Sequence, residues 1–373
     1  GAVPLPPTSL RNVDQNIKTA QTQFWDAALE QQLAPNTLIS LQYAGARGIH
    51  LYDIKNTNNR GGGNVLLGDP TTDAAGNFGL TRLNNQYSNI NNRGSSGDSY
   101  YEAFNIQFQT TNYRQKGLSL VANYTYAHQL DDLSTTFSET NNAFALGYTQ
   151  PFFPGFDHGN GDLDIRSRLV IAPMYETPKF AKRKLLDLVL GGWLATGIYT
   201  VRTGAPFTYF DSTNNVTGYQ VARYTPADGV VPKHTFKSIP HGETGNGLNS
   251  YHIGDLPAAV SFGNPALGGI SEWGPFPQTM VSRNSFRGPG AWTYDMAVSK
   301  TFRIHEQIGL EFRAEGFDLL NHHNLFIQEG LNDVANVGNG VPVPITASKG
   351  GIGNNNGAND ERRFGQFALK INF

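Results

Sequence analysis

The 373-residue sequence contains no cysteine, which excludes a disulfide framework and any thiolate metal site. It is also poor in charge: 16% of residues are Asp, Glu, Lys or Arg, against about 25% in an average soluble domain. With a formal net charge of −2, the chain has no electrostatic footprint for nucleic acid. No apolar run approaches the ~18 residues of a membrane helix. The opening residues, Gly1 to Pro7, lack the basic segment and apolar core of a signal peptide. Mean hydropathy is −0.38, which is compatible with a membrane barrel, whose strands are only half apolar.

Catalytic signatures are missing as well. His305-Glu306 has no second histidine to complete a zinc-protease helix, and Gly351-Ile352-Gly353 fails at its third glycine. His322 and His323 are adjacent, so on an extended chain their rings point apart. The run Asp157–Asp164 is rich in oxygen ligands but does not follow EF-hand spacing; it reads as a polar surface loop. Glu311, Arg313 and Glu315 form a same-face stripe with neighbours about 7 Å apart. That reads as a charge ladder along a strand rather than as a glycosidase carboxylate pair. The chain is not expected to be an enzyme or to carry a cofactor.

What the sequence does have is strands. In the closing stretch Gly365–Phe373, Phe367, Leu369, Ile371 and Phe373 alternate with Gln366, Ala368, Lys370 and Asn372, a period-2 pattern with one apolar and one polar face. Similar alternation predicts strands over Gln21–Leu33, Thr37–Gly45 (continuing towards Tyr52), Tyr101–Tyr113, Leu118–His128, Leu163–Thr177, Gly192–Thr203, Trp292–Ile304 and Ile308–Asn321. For Gln21–Leu33 the helix formers of Ala27–Leu33 keep a helix open as an alternative. The run 178–190 reads as a connection with a helical turn. Short hairpin strands are expected near Phe207–Tyr209 and Tyr219–Tyr224.

The predicted connections alternate strictly. Short ones at 34–36, 114–117, 178–190 and 305–307 separate long ones at 53–98, 129–162, 204–291 and 322–360. Outer-membrane barrels sort loop length in this way, with short periplasmic turns and long extracellular loops. A soluble sandwich has no reason to. The reading is therefore all-β: an antiparallel transmembrane β-barrel in a bacterial outer membrane, its apolar parity on lipid. The polar parity makes Asp295, Glu311, Arg313, Glu315, Arg166, Arg168 and Lys370 lumen-facing candidates. Trp193, Trp292 and Phe373, at strand ends, are candidates for interfacial aromatics. Lys300 falls on the lipid parity near a strand end, where it can snorkel. The count of predicted strands is odd, whereas a complete barrel has an even number, so the chain is expected to be the C-terminal part of a longer one; a further strand within 1–20, or a helix at Gln21–Leu33, leaves a closed barrel of eight or ten strands as an alternative. The alternative is a barrel-derived or soluble β-sheet surface protein with a structural or adhesive role and no transport.

Four blocks then carry a resemblance: Asn284–Phe302, Leu310–His322, Gly191–Phe207 and Gln42–Leu51. Together they resemble, in family order, the barrel of Oar-like TonB-dependent receptors of the kind abundant in Acidobacteria. The closing aromatic strand resembles the signal read by the outer-membrane assembly machinery. The resemblance implies a 22-stranded barrel of which residues 1–373 supply the last nine or ten strands. It implies a plug domain of the same full-length protein and TonB as partners, and import of an extracellular ligand that remains unidentified. The plug, the TonB box and the N-terminal regulatory-like domain of that family have no counterpart in these residues.

Overall fold

The computed structural model describes residues 8–58, 82–84, 86–134, 148, 151–180, 182–208, 210–211, 222–223, 236–238, 251–253, 280–287, 290–304, 308–322, 324 and 363–373. Nine long strands are formed, β1 Gln21–Ala34, β2 Thr37–Asn56, β3 Tyr87–Thr110, β4 Leu118–Asp131, β5 Ser167–Glu176, β6 Leu194–Arg202, β7 Ala291–Arg303, β8 Gly309–Phe317 and β9 Phe364–Asn372. They follow one another in sequence order across a single sheet. Every neighbouring pair is antiparallel. The alternation of polar and apolar residues is what the pleat demands of each strand, and Gln21–Ala34 is strand, not helix. The sheet is open: β1 and β9 are its two edges and are not paired with each other. Among the described residues nine long strands are thus present as expected, but closure into a barrel is not seen.

The turns explain the up-and-down path. At Pro35-Asn36, proline presets the first turn position and Asn36 takes φ 64°, the residue chemistry of a type II turn. Between β3 and β4, Gly117 has φ 75°, and a Cβ there would lie 2.3 Å from the Glu176 carbonyl oxygen. These short turns, the β7–β8 reversal closed by Ile304 N–H donating to Ile308 O (2.9 Å), and the terminal Phe373 share one end of the sheet. All the long connections leave from the other. The connection after β5 carries a helix, α1, over Lys184–Leu190, where a helical turn was expected.

Several predicted boundaries move. The first long connection is much shorter than 53–98, because β2 runs on to Asn56 and β3 begins at Tyr87. Low-propensity residues from Asn91 to Asp98 are recruited into the ladder by cross-strand partners such as Asn91 for Asn56 and Gly94 for Asp53. Register shifts between Gly48 and Asp53 bend this extension, and Thr8–Val13 lies parallel against it. β5 starts at Ser167, not Leu163, because Asp164 and Arg166 are held by other partners described below. β8 stops at Phe317, and Asp318 and Asn321 turn the chain with positive φ. Of the expected hairpin, Phe210–Asp211 pairs with Ala222–Arg223, whereas Tyr209, residues 219–221 and Tyr224 lie outside the described residues. Phe207 pairs instead with Phe286. The 305–307 turn, His323 and the Gly351–Gly353 motif also lie outside them.

Candidate functional site

The register fixes which side chains share a face. Leu29, Leu41, Ile106, Tyr124, Leu169, Val201 and Trp292 form one unbroken cross-strand row. One residue along each strand, Ala28, Gln42, Asn105, Thr125, Arg168, Arg202 and Ala291 form the row on the opposite face. Within it Thr125 Oγ1 donates to Asn105 Oδ1 at 2.7 Å, and Arg168 directly faces Arg202. Away from these rows the separation has exceptions: Gln31, Glu102 and Lys300 fall on the apolar parity, and Val170 and Ile198 on the polar one. On the second face Ser299, Arg313 and Ala368 form a row, as do Ala297, Glu315 and Gln366, and Thr301, Glu311 and Lys370. Arg313 Nε lies 2.8 Å from Glu315 Oε1, and Gln366 donates to the other Glu315 oxygen. Asp295 shares this face, where Oδ1 accepts the Asp318 backbone N–H (2.8 Å).

Apart from helix α1, which covers Lys300 at the short-turn end, no second layer covers the apolar face among the described residues. Phe104 is 41% exposed and Phe367 80%, while the ring of Phe312 packs against neighbours on its own face, Trp193 and Phe367. Aromatics mark both ends. At the short-turn end Trp193 packs edge-on against Phe312, and the ring of Phe373 is exposed. At the other end Trp292 stacks on His322 with ring centroids 4.1 Å apart. Trp25 covers Gly45 so closely that a Cβ there would meet the indole at 2.2 Å.

The densest chemistry lies past the strand ends, where the long connections meet. Arg166, expected on a strand, precedes β5 and binds Asp164 Oδ2 (3.1 Å) and Asn160 Oδ1 (3.2 Å). Asp164, 1% exposed, also accepts from Arg287 and from the Gln129 N–H (2.9 Å). Arg283 donates to Asp131, to the Asp157 carbonyl (2.9 Å) and to Ser134 Oγ (3.1 Å). Arg223 is buried, donates to Asp157 Oδ1 at 2.7 Å and stacks over Phe156 at 4.6 Å. Asn284 ties Thr208, Asn160 and Asp162 together. The Asp157–Asp164 run is a surface loop only in part: His158, Asp162 and Leu163 are exposed, whereas Asp157 and Asp164 are buried and guanidinium groups answer them.

Burial sets the electrostatics of this knot. It pulls the Arg223 guanidinium below its ordinary value, against the opposing pull of Asp157, and pushes the buried Tyr148 phenol up. It also raises the Asp132 carboxyl, although His158 Nδ1 lies 2.8 Å from Asp132 Oδ1 and works the other way. Such arrangements hold because planar guanidinium forks can satisfy carboxylate and carbonyl oxygens together. Apolar support is small: Phe207 and Phe286, with ring centroids 5.7 Å apart, and Met280 and Val281. The knot's arginines, Arg223, Arg283 and Arg287, escaped sequence reasoning. Their partners lie more than sixty residues away in sequence, and no local period marks them.

Three comparisons bear on these faces. The description "Outer membrane beta barrel domain" matches residues 1–366. Among curated proteins none matches the chain. A solved structure, the outer membrane transporter YddB from Escherichia coli, aligns over 100% of this chain and 34% of its own, with a TM-score of 0.44 and 10% identity; this chain thus spans about a third of that protein's length. Barrels of this kind are typically non-enzymatic. The match to nearly the whole sequence shows that the chain belongs to the outer membrane β-barrel domain family and that its place is the outer membrane.

Proposed function

We propose that the chain is the C-terminal wall of a TonB-dependent receptor barrel that takes up a nutrient across the outer membrane. In this reading the apolar face meets acyl chains. The polar face, with Asp295, Glu311, Arg313, Glu315, Arg168 and Lys370, looks into the lumen towards a plug of the same full-length protein. The knot containing Arg166 shapes the mouth on the extracellular side, and Trp193 and Phe373 sit at the periplasmic rim. The observation that carries the reading is the pair of adjacent rows, Leu41 to Trp292 and Gln42 to Ala291, that divide greasy from polar without exception on the greasy side. A spanning sheet needs that division, because lipid offers its backbone no hydrogen bonds and its outer side chains no water.

Strand direction supports a longer barrel. With nine alternating strands, β1 and β9 run the same way. Closing them on each other would create a parallel seam, whereas outer-membrane barrels are antiparallel throughout. An odd number of further strands between the two edges removes the conflict. The test is a cysteine pair on the polar face, Glu30→Cys with Ala368→Cys, in residues that hold no other cysteine. In outer membranes the pair should not cross-link under oxidation, and the intact protein should be much heavier than the 40.7 kDa of these residues. Efficient cross-linking in a protein of that mass would overturn the reading.

A further inference from the structure

We infer that the segment 177–193, at the short-turn end, is an in-plane anchor. Helix α1 lies at the acyl boundary of the leaflet on that side, and Lys179, Lys182 and Arg183 lie on anionic phospholipid headgroups. This rests on the apolar face meeting lipid.

The chain does not need this segment to reverse direction, since two residues, Pro35 and Asn36, suffice at the same end of the sheet. What the extra length builds is a seven-residue helix, Lys184–Leu190, too short to persist alone in water. It is bolted to the sheet by its C-terminal carbonyls. Lys300 Nζ donates to the carbonyls of Asp187 (2.8 Å), Leu188 (2.7 Å) and Gly191 (2.6 Å). Trp193 Nε1 donates to Val189 O (2.8 Å), and Thr177 Oγ1 to Leu190 O (2.9 Å). The carbonyls a helix end leaves unpaired are thus all taken. Lys300 belongs to the apolar face, in strand with Val298 and Phe302, and Trp193 reaches the same face at Phe312. The ammonium does not snorkel to water, as its strand-end position suggested, but is buried under the helix between the rings of Trp193 and Phe302.

The helix is consequently held at the edge of the lipid-facing surface, and its outer side chains extend that surface. Leu185, Leu188, Val189 and Leu190 are all more than half exposed, a contiguous apolar patch that water would penalise. The charge around it has one sign. Residues 177–193 contain four basic residues and a single acidic one, Asp187. Asp187 is turned inward, where Oδ1 accepts the Phe180 N–H at 2.6 Å, while Lys179, Lys182 and Arg183 are exposed. Apolar side chains in the acyl boundary with cations at headgroup level is how interfacial helices bind anionic bilayers. Continuity with the sheet's apolar face and this charge select a phospholipid surface over a protein partner.

Spin labels at Leu188→Cys and, as a second position, Leu185→Cys test the inference, with Ile106→Cys on the apolar face as reference. The protein is reconstituted in phosphatidylcholine vesicles with and without phosphatidylglycerol. Both helix labels should lie about 5–10 Å below the phosphates, more accessible to oxygen than to a water-soluble nickel chelate, and should move deeper with phosphatidylglycerol. Lys179→Gln, Lys182→Gln and Arg183→Gln combined should abolish that lipid dependence. Helix labels exposed to the chelate while Ile106→Cys stays in lipid overturn the anchor and leave the barrel standing. Water exposure at all three positions overturns the barrel reading itself. Helix labels immobilised and shielded from both reagents, whatever the lipid, point to a protein partner and overturn the inference. Depth that ignores phosphatidylglycerol overturns its electrostatic half.

Discussion

In the strand wall, Leu41, Ile106, Tyr124 and Leu169 meet no protein interior among the described residues, and the order lies in the backbone ladder. In the knot beyond the strand ends the reverse holds: residues are deeply buried, and beside Tyr148, Val281 and Phe286 they include Asp131, Asp157, Asp164, Arg223 and Asn284. The two regions solve different solvent problems. A wall between lipid and lumen needs only that each strand keep its parities apart. The loops past the strand ends are fastened, beside a small apolar cluster, by charge-assisted hydrogen bonds between distant segments. The wall should therefore tolerate changes on its polar face and resist charge on the other, and the knot should be brittle wherever one partner of a buried pair is removed.

The largest effect is expected in the knot. Asp164→Ala removes the shared acceptor of Arg166, Arg287 and the Gln129 N–H. Breaking one side of a buried ion pair costs about 3–5 kcal/mol. Urea unfolding of the mouth, followed by protease cleavage between 131 and 167, should shift accordingly. Replacing both partners, Asp164→Leu with Arg287→Met, should recover part of the loss, since the penalty comes from the stranded charge. A full loss in the double variant as well would mean that the backbone contacts of Asp164, not its charge, hold the knot.

Next comes the wall itself. Ile106→Arg places a cation on the apolar face and should cost about 2–4 kcal/mol near the bilayer midplane. Asn105→Arg, one residue away on the opposite face, should stay within about 0.5 kcal/mol. Refolding titrations into vesicles measure both, and equal costs would erase the distinction between faces. Smaller again is Arg313→Gln. Its pair with Glu315 is short at 2.8 Å, but the Arg313 side chain is 51% exposed, so the loss should be under about 1 kcal/mol. The contrast with Asp164→Ala sets the same two chemical groups in two environments.

The wall was legible in the sequence because each strand carries its own signature. Phe104, Ile106 and Phe108 against Asn105, Gln107 and Gln109 predict a strand without reference to anything else. Connections sorted by length gave the up-and-down order, which register confirms. The residues that misled have their partners elsewhere. Asn91 to Asp98 read as loop by composition, yet Asp53, buried, accepts the Ser96 N–H at 3.1 Å and aligns that segment. Arg166 matched the parity of Arg168 but is claimed by Asp164. The Asp157–Asp164 run shows its oxygens in the sequence, while the guanidinium groups that answer them come from residues 166, 223, 283 and 287. Period is a local property that one strand can show; a knot assembled from distant loops has none.

The smallest prediction concerns pH and decides which force rules at the knot's margin. Asp132 is buried, and burial raises its carboxyl more than the His158 imidazole lowers it. A carboxyl whose value is raised on folding favours the folded state most when protonated. Its contribution is complete below the ordinary carboxyl value of about 3.9 and is lost as pH rises through the raised folded value. Asp132→Asn stays neutral at every pH and keeps an oxygen for His158 Nδ1 to donate to. The variant should therefore resist proteolysis of the mouth slightly better than the parent above that window and match it below. If Asp132→Asn is instead the weaker protein at neutral pH, the pair with His158 outweighs the cost of burial. Asp132 then belongs with Asp157 and Asp164, as a charge the knot needs rather than one it merely accommodates.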